Sequence, residues 1–128
     1  MRQLIFLVLF LTSSAASSYD IEQASNNFSH EVTQCSAYFM VSSTAPTLSE
    51  ATVKNLRDRF SSLLEVSVAL SSDKLTKARF ELEVETIRRM LDGSWANMSI
   101  VNKEYGYRCI DLANDPAARY QYWIKKTD

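Results

Sequence analysis

Apolar side chains recur every three or four residues along most of this chain, and the interruptions of that rhythm divide it into helices. Between about Asp20 and Ser43, Ile21, Ala24, Phe28, Val32, Cys35 and Phe39 follow one another at spacings of three or four, one stripe of an amphipathic helix. Pro46 then disfavours helical backbone at Ala45, and Thr47 or Ser49 offers an oxygen to cap a second helix. Val53, Leu56, Phe60, Leu63 and Leu70 continue at helical spacing. The stretch LLEVSVAL also alternates as a strand would, but a lone strand has no partner in this chain, so helix is expected there too.

Ser72 or Asp73 caps a third helix, in which Leu75, Ala78 and Leu82 share one side while Phe80, Val84, Ile87 and Leu91 lie nearly opposite. Two apolar stripes predict two packed neighbours. Lys77 with Glu81, Arg79 with Glu83, and Glu85 with Arg89 are four apart and read as pairs on a solvated face. Gly93 ends this helix and Ser94 begins a fourth, with Trp95, Met98, Asn102, Tyr105, Cys109 and Leu112 along one stripe. A buried Asn102 amide would need partners, so that residue is expected at the edge of the seam. Asp115 caps and Pro116 opens a short fifth helix, bringing Ala117, Tyr120 and Trp123 or Ile124 onto the bundle. Two glycines and two prolines in 128 residues leave little material for tight hairpin turns. The expected fold is all-α, a small up-and-down helical bundle of four main helices plus a short C-terminal helix.

The first residues follow another pattern. Arg2 precedes an unbroken apolar run from Leu4 to Leu11, followed by small residues, the build of a secretory signal peptide. The expected cleavage is after Ala16, with Ser18 as the alternative, leaving residues 17–128 as a single helical domain. A run of this length falls well short of the roughly 20 residues that cross a bilayer as a helix, so no transmembrane span is expected in the mature chain. The protein is expected to be secreted, periplasmic or extracellular. Without Arg2 the charge balance is 13 basic residues against 15 acidic, which gives no field for nucleic acid.

An oxidising compartment changes the reading of the two cysteines. Cys35 and Cys109 both fall on apolar stripes, and in a small exported domain they are expected to form an internal disulfide. An ideal bundle makes this difficult. At 1.5 Å per residue Cys35 lies roughly 12 Å below the end of helix one, and Cys109 more than about 20 Å down helix four. The helices must therefore be offset, or helix four bent or interrupted, with Gly106 the obvious place and a means of close backbone approach.

Candidate chemistry is sparse. There is no C-x-x-C pair, and two cysteines with the single His30 do not form a metal-site spacing. His30 and Glu31 read as a surface pair. Ser71 and Lys74 match S-x-x-K without its companion motifs, and no nucleophile elbow or glycine-rich phosphate loop occurs. No catalytic residue, cofactor or metal is assigned. Asn27-Phe28-Ser29 and Asn97-Met98-Ser99 match the glycan acceptor pattern, both inside expected helices.

The most unusual composition is C-terminal, where Tyr107, Arg119, Tyr122, Trp123, Lys125 and Lys126 form a candidate interaction patch, while Tyr105 and Tyr120 are assigned to sealing the bundle. The leading expectation is a non-enzymatic protein acting on another protein or a cell-envelope component. The alternative is a carrier of a small apolar ligand between helices lined by Met40, Met90 and Met98. Third comes a small secreted enzyme without a recognisable motif.

Overall fold

The computed structural model describes residues 14–126. The signal-peptide reading rests mainly on residues 1–13, which lie outside them. Five helices follow in order: α1 (Ser14–Ser42), α2 (Glu50–Leu70), α3 (Asp73–Leu91), a composite α4 over residues 95–114, and α5 (Pro116–Lys125). No strand occurs among the described residues. Side-chain caps set the beginnings. Ser49 accepts from the Thr52 N–H at 3.2 Å, Ser72 from that of Leu75 at 3.1 Å, Ser94 from that of Ala96 at 3.3 Å and Asp115 from that of Ala118 at 3.1 Å. Each satisfies a donor that the first helical turn leaves orphaned. Between α3 and α4 the chain reverses through two left-handed residues, Asp92 at φ 47° and Gly93 at φ 74°.

α1 lies at the centre of the bundle and is in contact with α2, α3, α4 and α5. Its apolar stripe packs as the spacing predicts, with Phe28, Val32, Cys35 and Phe39 buried, although Ile21 remains half-exposed. The burial extends round the helix: Ser29, Glu31, Thr33, Ser36 and Tyr38 are buried as well. Buried hydroxyls need partners, and α1, α2 and α3 supply them to Thr33, Ser36, Ser67 and Thr76, while Ser29 Oγ has none among the described residues. Thr33 Oγ1 lies 2.5 Å from Ser67 Oγ, Ser67 lies 3.1 Å from Thr76 Oγ1, and Thr76 lies 3.1 Å from Ser71 Oγ. Ser36 donates to the Phe60 carbonyl at 2.9 Å.

The expected disulfide is present, joining Cys35 to Cys109 with Cα atoms 5.1 Å apart and both residues fully buried. Both of the anticipated distortions contribute. Tyr38 stacks on Tyr105 with ring centroids 5.9 Å apart, and the Tyr105 hydroxyl donates to Glu83, which marks one level across α1, α3 and α4. Above that level α1 has about one turn left, while α3 runs on for about two and α4 starts about three turns higher. The outer helices thus overshoot α1. In addition, α4 is not one regular helix: a 3₁₀ turn (Trp95–Asn97) and an α turn (Met98–Val101) lead into a π turn (Asn102–Gly106) before α geometry resumes (Tyr107–Asn114).

A π turn takes up an extra residue per turn, so neighbouring residues Tyr105 and Gly106 are both buried and the inward stripe becomes Val101, Tyr105, Cys109 and Leu112. Asn102 is exposed at the seam edge, where its amide oxygen accepts from the Tyr38 hydroxyl at 2.7 Å. Gly106 lies in the interruption, as expected, but close approach does not require it. A Cβ there would stand 3.6 Å from Tyr38 Oη, an ordinary contact.

Two expectations for α3 fail. Only the Val84, Ile87 and Leu91 side is covered, whereas Leu75, Ala78 and Leu82 face solvent. Of its three anticipated surface pairs only Glu85 with Arg89 forms. Arg79 donates instead to Asn26 of α1 at 2.9 Å, and Glu83 serves Tyr105. Directed hydrogen bonds to other helices outcompete weak pairing on an exposed face.

Removing the disulfide by Cys35→Ala with Cys109→Ala frees a long loop in the unfolded chain and is expected to cost roughly 4 kcal/mol, read as a lowered urea midpoint. A second outcome concerns alkali. Burial first, and then the hydrogen bond to Glu83, push the Tyr105 hydroxyl well above its ordinary value of 10.0, and burial likewise raises Tyr38. Stability is therefore complete below pH ~10 and falls as pH rises beyond it, because the unfolded chain releases those protons first. Tyr105→Phe should flatten that decline in thermal midpoints measured between about pH 8 and 11.

Candidate functional site

α5 runs along the N-terminal half of α1, and three contacts fasten it. Tyr120 packs against Phe28 with centroids 5.2 Å apart, and its hydroxyl lies 2.9 Å from Ser25 Oγ. Arg119 forms a two-pronged pair with Glu31, its Nη2 donating to Oε2 at 2.8 Å and its Nε to Oε1. Glu31 is buried, so this arginine neutralises a carboxylate that would otherwise lie uncompensated inside the bundle. The bond to Glu31 is also the main cause raising the Arg119 pKa. Glu31 therefore does not form the expected surface pair with His30, which stays exposed.

The same guanidinium supports the aromatic surface. It lies 4.0 Å from the centroid of Tyr122 and 5.5 Å from that of Trp123, while Lys126 Nζ stands 5.8 Å and 4.9 Å from those two rings. Tyr122 and Trp123 meet edge to face at 5.4 Å. Cations over aromatic faces interact with the ring quadrupole and hold such side chains in place. Tyr122 is 44 % exposed, and Trp123 is half-buried with its indole Nε1 enclosed and unpartnered among the described residues. Lys125 and Lys126 are exposed at the helix end. Beside them a shallow groove of about 420 Å³ runs over Asp111, Asn114, Ala118, Arg119 and Tyr122.

Five of the six patch residues lie on α5 or at its C-cap, Lys126. Tyr107 lies on α4: it is 85 % exposed at the start of the last α segment, one turn before the Asp111 that lines the groove with Tyr122. Among the described residues it takes part in no aromatic or cation–π contact. Tyr105 is buried and Tyr120 half-buried, both in contact with the core, as their sealing assignment requires. Glu31 is the residue that the sequence reading misplaced, because a glutamate beside the only histidine looks solvated until the distant Arg119 is folded against it.

Other candidates find ordinary structural duties. Ser71 Oγ donates to the Ser67 carbonyl at 2.9 Å and neighbours Thr76, while Lys74 is exposed. The Asn97 amide nitrogen donates to the Leu91 carbonyl at 2.8 Å, and the hydroxyl-bearing Ser29 of the other acceptor tripeptide is buried. Met40 lines an open groove of about 440 Å³ with Phe80 and Val84, between α1 and α3. No cluster of three or more potential metal-binding side chains occurs among the described residues. Comparison with protein-family models, curated proteins and solved structures finds no match.

Arg119→Ala leaves Glu31 buried without its partner and should destabilise the protein by about 2 kcal/mol, between the values for surface and fully buried pairs. The amides of α5 should exchange with solvent faster than those of α2. Equal exchange in both helices would mean that the pair does not hold α5 down.

Proposed function

We propose that this is an exported, non-enzymatic protein that works by binding another protein or a cell-envelope component through the α5 surface. The observation that supports the reading is the Tyr122–Trp123 pair held between Arg119 and Lys126. Aromatic rings immobilised in advance lose little side-chain freedom on binding, and Tyr, Trp and Arg are the residues that most often dominate interfaces. Arg119 acts here as a positioning residue whose charge is already balanced by Glu31, so the cations offered to a partner are Lys125 and Lys126, with the carboxylates of Asp111 and Asp115 along the adjoining groove. Tyr107 lies on α4 and is not needed by this reading. The internal disulfide is compatible with export, and no helix among the described residues is long and apolar enough to cross a membrane.

A photo-crosslinking residue replacing Tyr122 in the producing cell should capture a discrete adduct that the same residue at exposed Glu65 does not. Trp123→Ala should reduce that adduct at least about fivefold while the far-ultraviolet circular dichroism is retained. Identical adducts from both positions, or none from either, would remove the assignment of α5 as the binding surface.

A further inference from the structure

α3 carries an apolar stripe that the fold leaves uncovered. Leu82 is 63 % and Leu75 41 % exposed, with exposed Ala78 between them. Single exposed leucines are common on protein surfaces, but the charges beside these two are arranged so that a second copy of the chain would match them. Lys74, Glu81 and Glu85, spaced seven and four residues apart, line one edge of the stripe. Neither Lys74 nor Glu81 takes part in an ion pair among the described residues, and Glu85 is shared only with its own Arg89.

We propose that this face is self-complementary, and that two copies of the chain pair α3 against α3, antiparallel, about a two-fold axis beside Ala78. With the axis between residues 78 and 79, Leu75 of each copy meets Leu82 of the other. The small side chain of Ala78 stands at the crossing point, where it lets the two backbones approach. An antiparallel two-fold sets each edge of the stripe against itself, so Lys74 comes opposite the gap between Glu81 and Glu85 of the second copy. Every such contact is made twice, as an isologous interface requires.

Charge also selects the register. Moving the axis to Leu82 would bring Glu81 towards Glu85 and Lys74 towards Arg89 of the second copy, while a parallel pairing would set each edge of the stripe against the opposite one and part Lys74 from Glu81 and Glu85 of the second copy. On the other edge, Arg79 is drawn aside to Asn26 at 2.9 Å and so is kept from facing its counterpart across the axis. A single helix pair buries less than the ~1,600 Å² of a standard interface, so the dimer belongs with weak, reversible associations.

Sedimentation equilibrium of the purified chain from low micromolar to high micromolar concentration tests this. The wild type should dimerise reversibly. Leu82→Arg should raise the dissociation constant at least about tenfold with circular dichroism and thermal midpoint unchanged, since that side chain touches solvent in the monomer. Lys74→Glu alone should weaken the dimer, and Lys74→Glu combined with Glu81→Lys and Glu85→Lys should restore it. A chain that stays monomeric throughout overturns the proposal, as does a dimer indifferent to Leu82→Arg. Failure of the triple variant to recover would overturn the register. None of these variants touches α5, so the outcome is independent of the binding role proposed for that helix.

Discussion

The bond between Cys35 and Cys109 fixes the height and rotation of α4 against α1, and the rest of the bundle accommodates it. Starting from the turn at Asp92 and Gly93, a regular α4 would present its inward stripe on a different rotation by the time it reached the level of Cys35. The overshoot of α3 and α4 beyond the end of α1 solves the height, and the π turn at Asn102–Gly106 solves the rotation. Tyr38 and Tyr105, stacked one turn from the bond, close the same joint from the other side. Everything C-terminal to Cys109, including the aromatic surface on α5, takes its position from this joint.

A central helix enclosed by its neighbours carries a second constraint. α1 buries Ser29, Glu31, Thr33 and Ser36 as well as its apolar stripe, so its environment cannot be simply oily. The Ser67 hydroxyl of α2 meets Thr33 and is met in turn by Thr76 of α3, a carbonyl of α2 meets Ser36, and the charge of Glu31 is met by Arg119 from the far end of the chain. Such pairings are directional, and they specify how the helices are rotated in a way that interchangeable methyl groups do not. They also explain why α5 lies against α1 despite having no fully buried residue of its own.

The helices were legible in the sequence because their signals are local. Ser49, Ser72, Ser94 and Asp115 cap where a hydroxyl or carboxylate precedes an apolar period, and Gly93 supplies a left-handed residue where the chain reverses. The disulfide was legible from the expected compartment and the stripe positions, and the need for either an offset between α1 and α4 or an interruption of α4 followed from helix rise alone. The kind of distortion was not, because a π turn depends on what Tyr105 and Cys109 must reach in other helices. For the same reason the pattern of α3 predicted a second covered face that the monomer does not provide, and Glu31 gave no sign of burial. Of the candidate surface, the cluster on α5 could be read from composition, but the cation–aromatic contacts of Arg119 and Lys126 with Tyr122 and Trp123 depend on how α5 packs against α1.

The π turn also sets how this chain can change in length. A helix clamped at Tyr105 and Cys109 transmits any insertion or deletion as a rotation of all that follows, which would carry α5 away from Glu31. Between Asn102 and Tyr105 the backbone already holds a supernumerary residue, so a one-codon loss there lets α geometry return while the clamps stay in place. Indels in α4 should therefore survive selection at that site before any other.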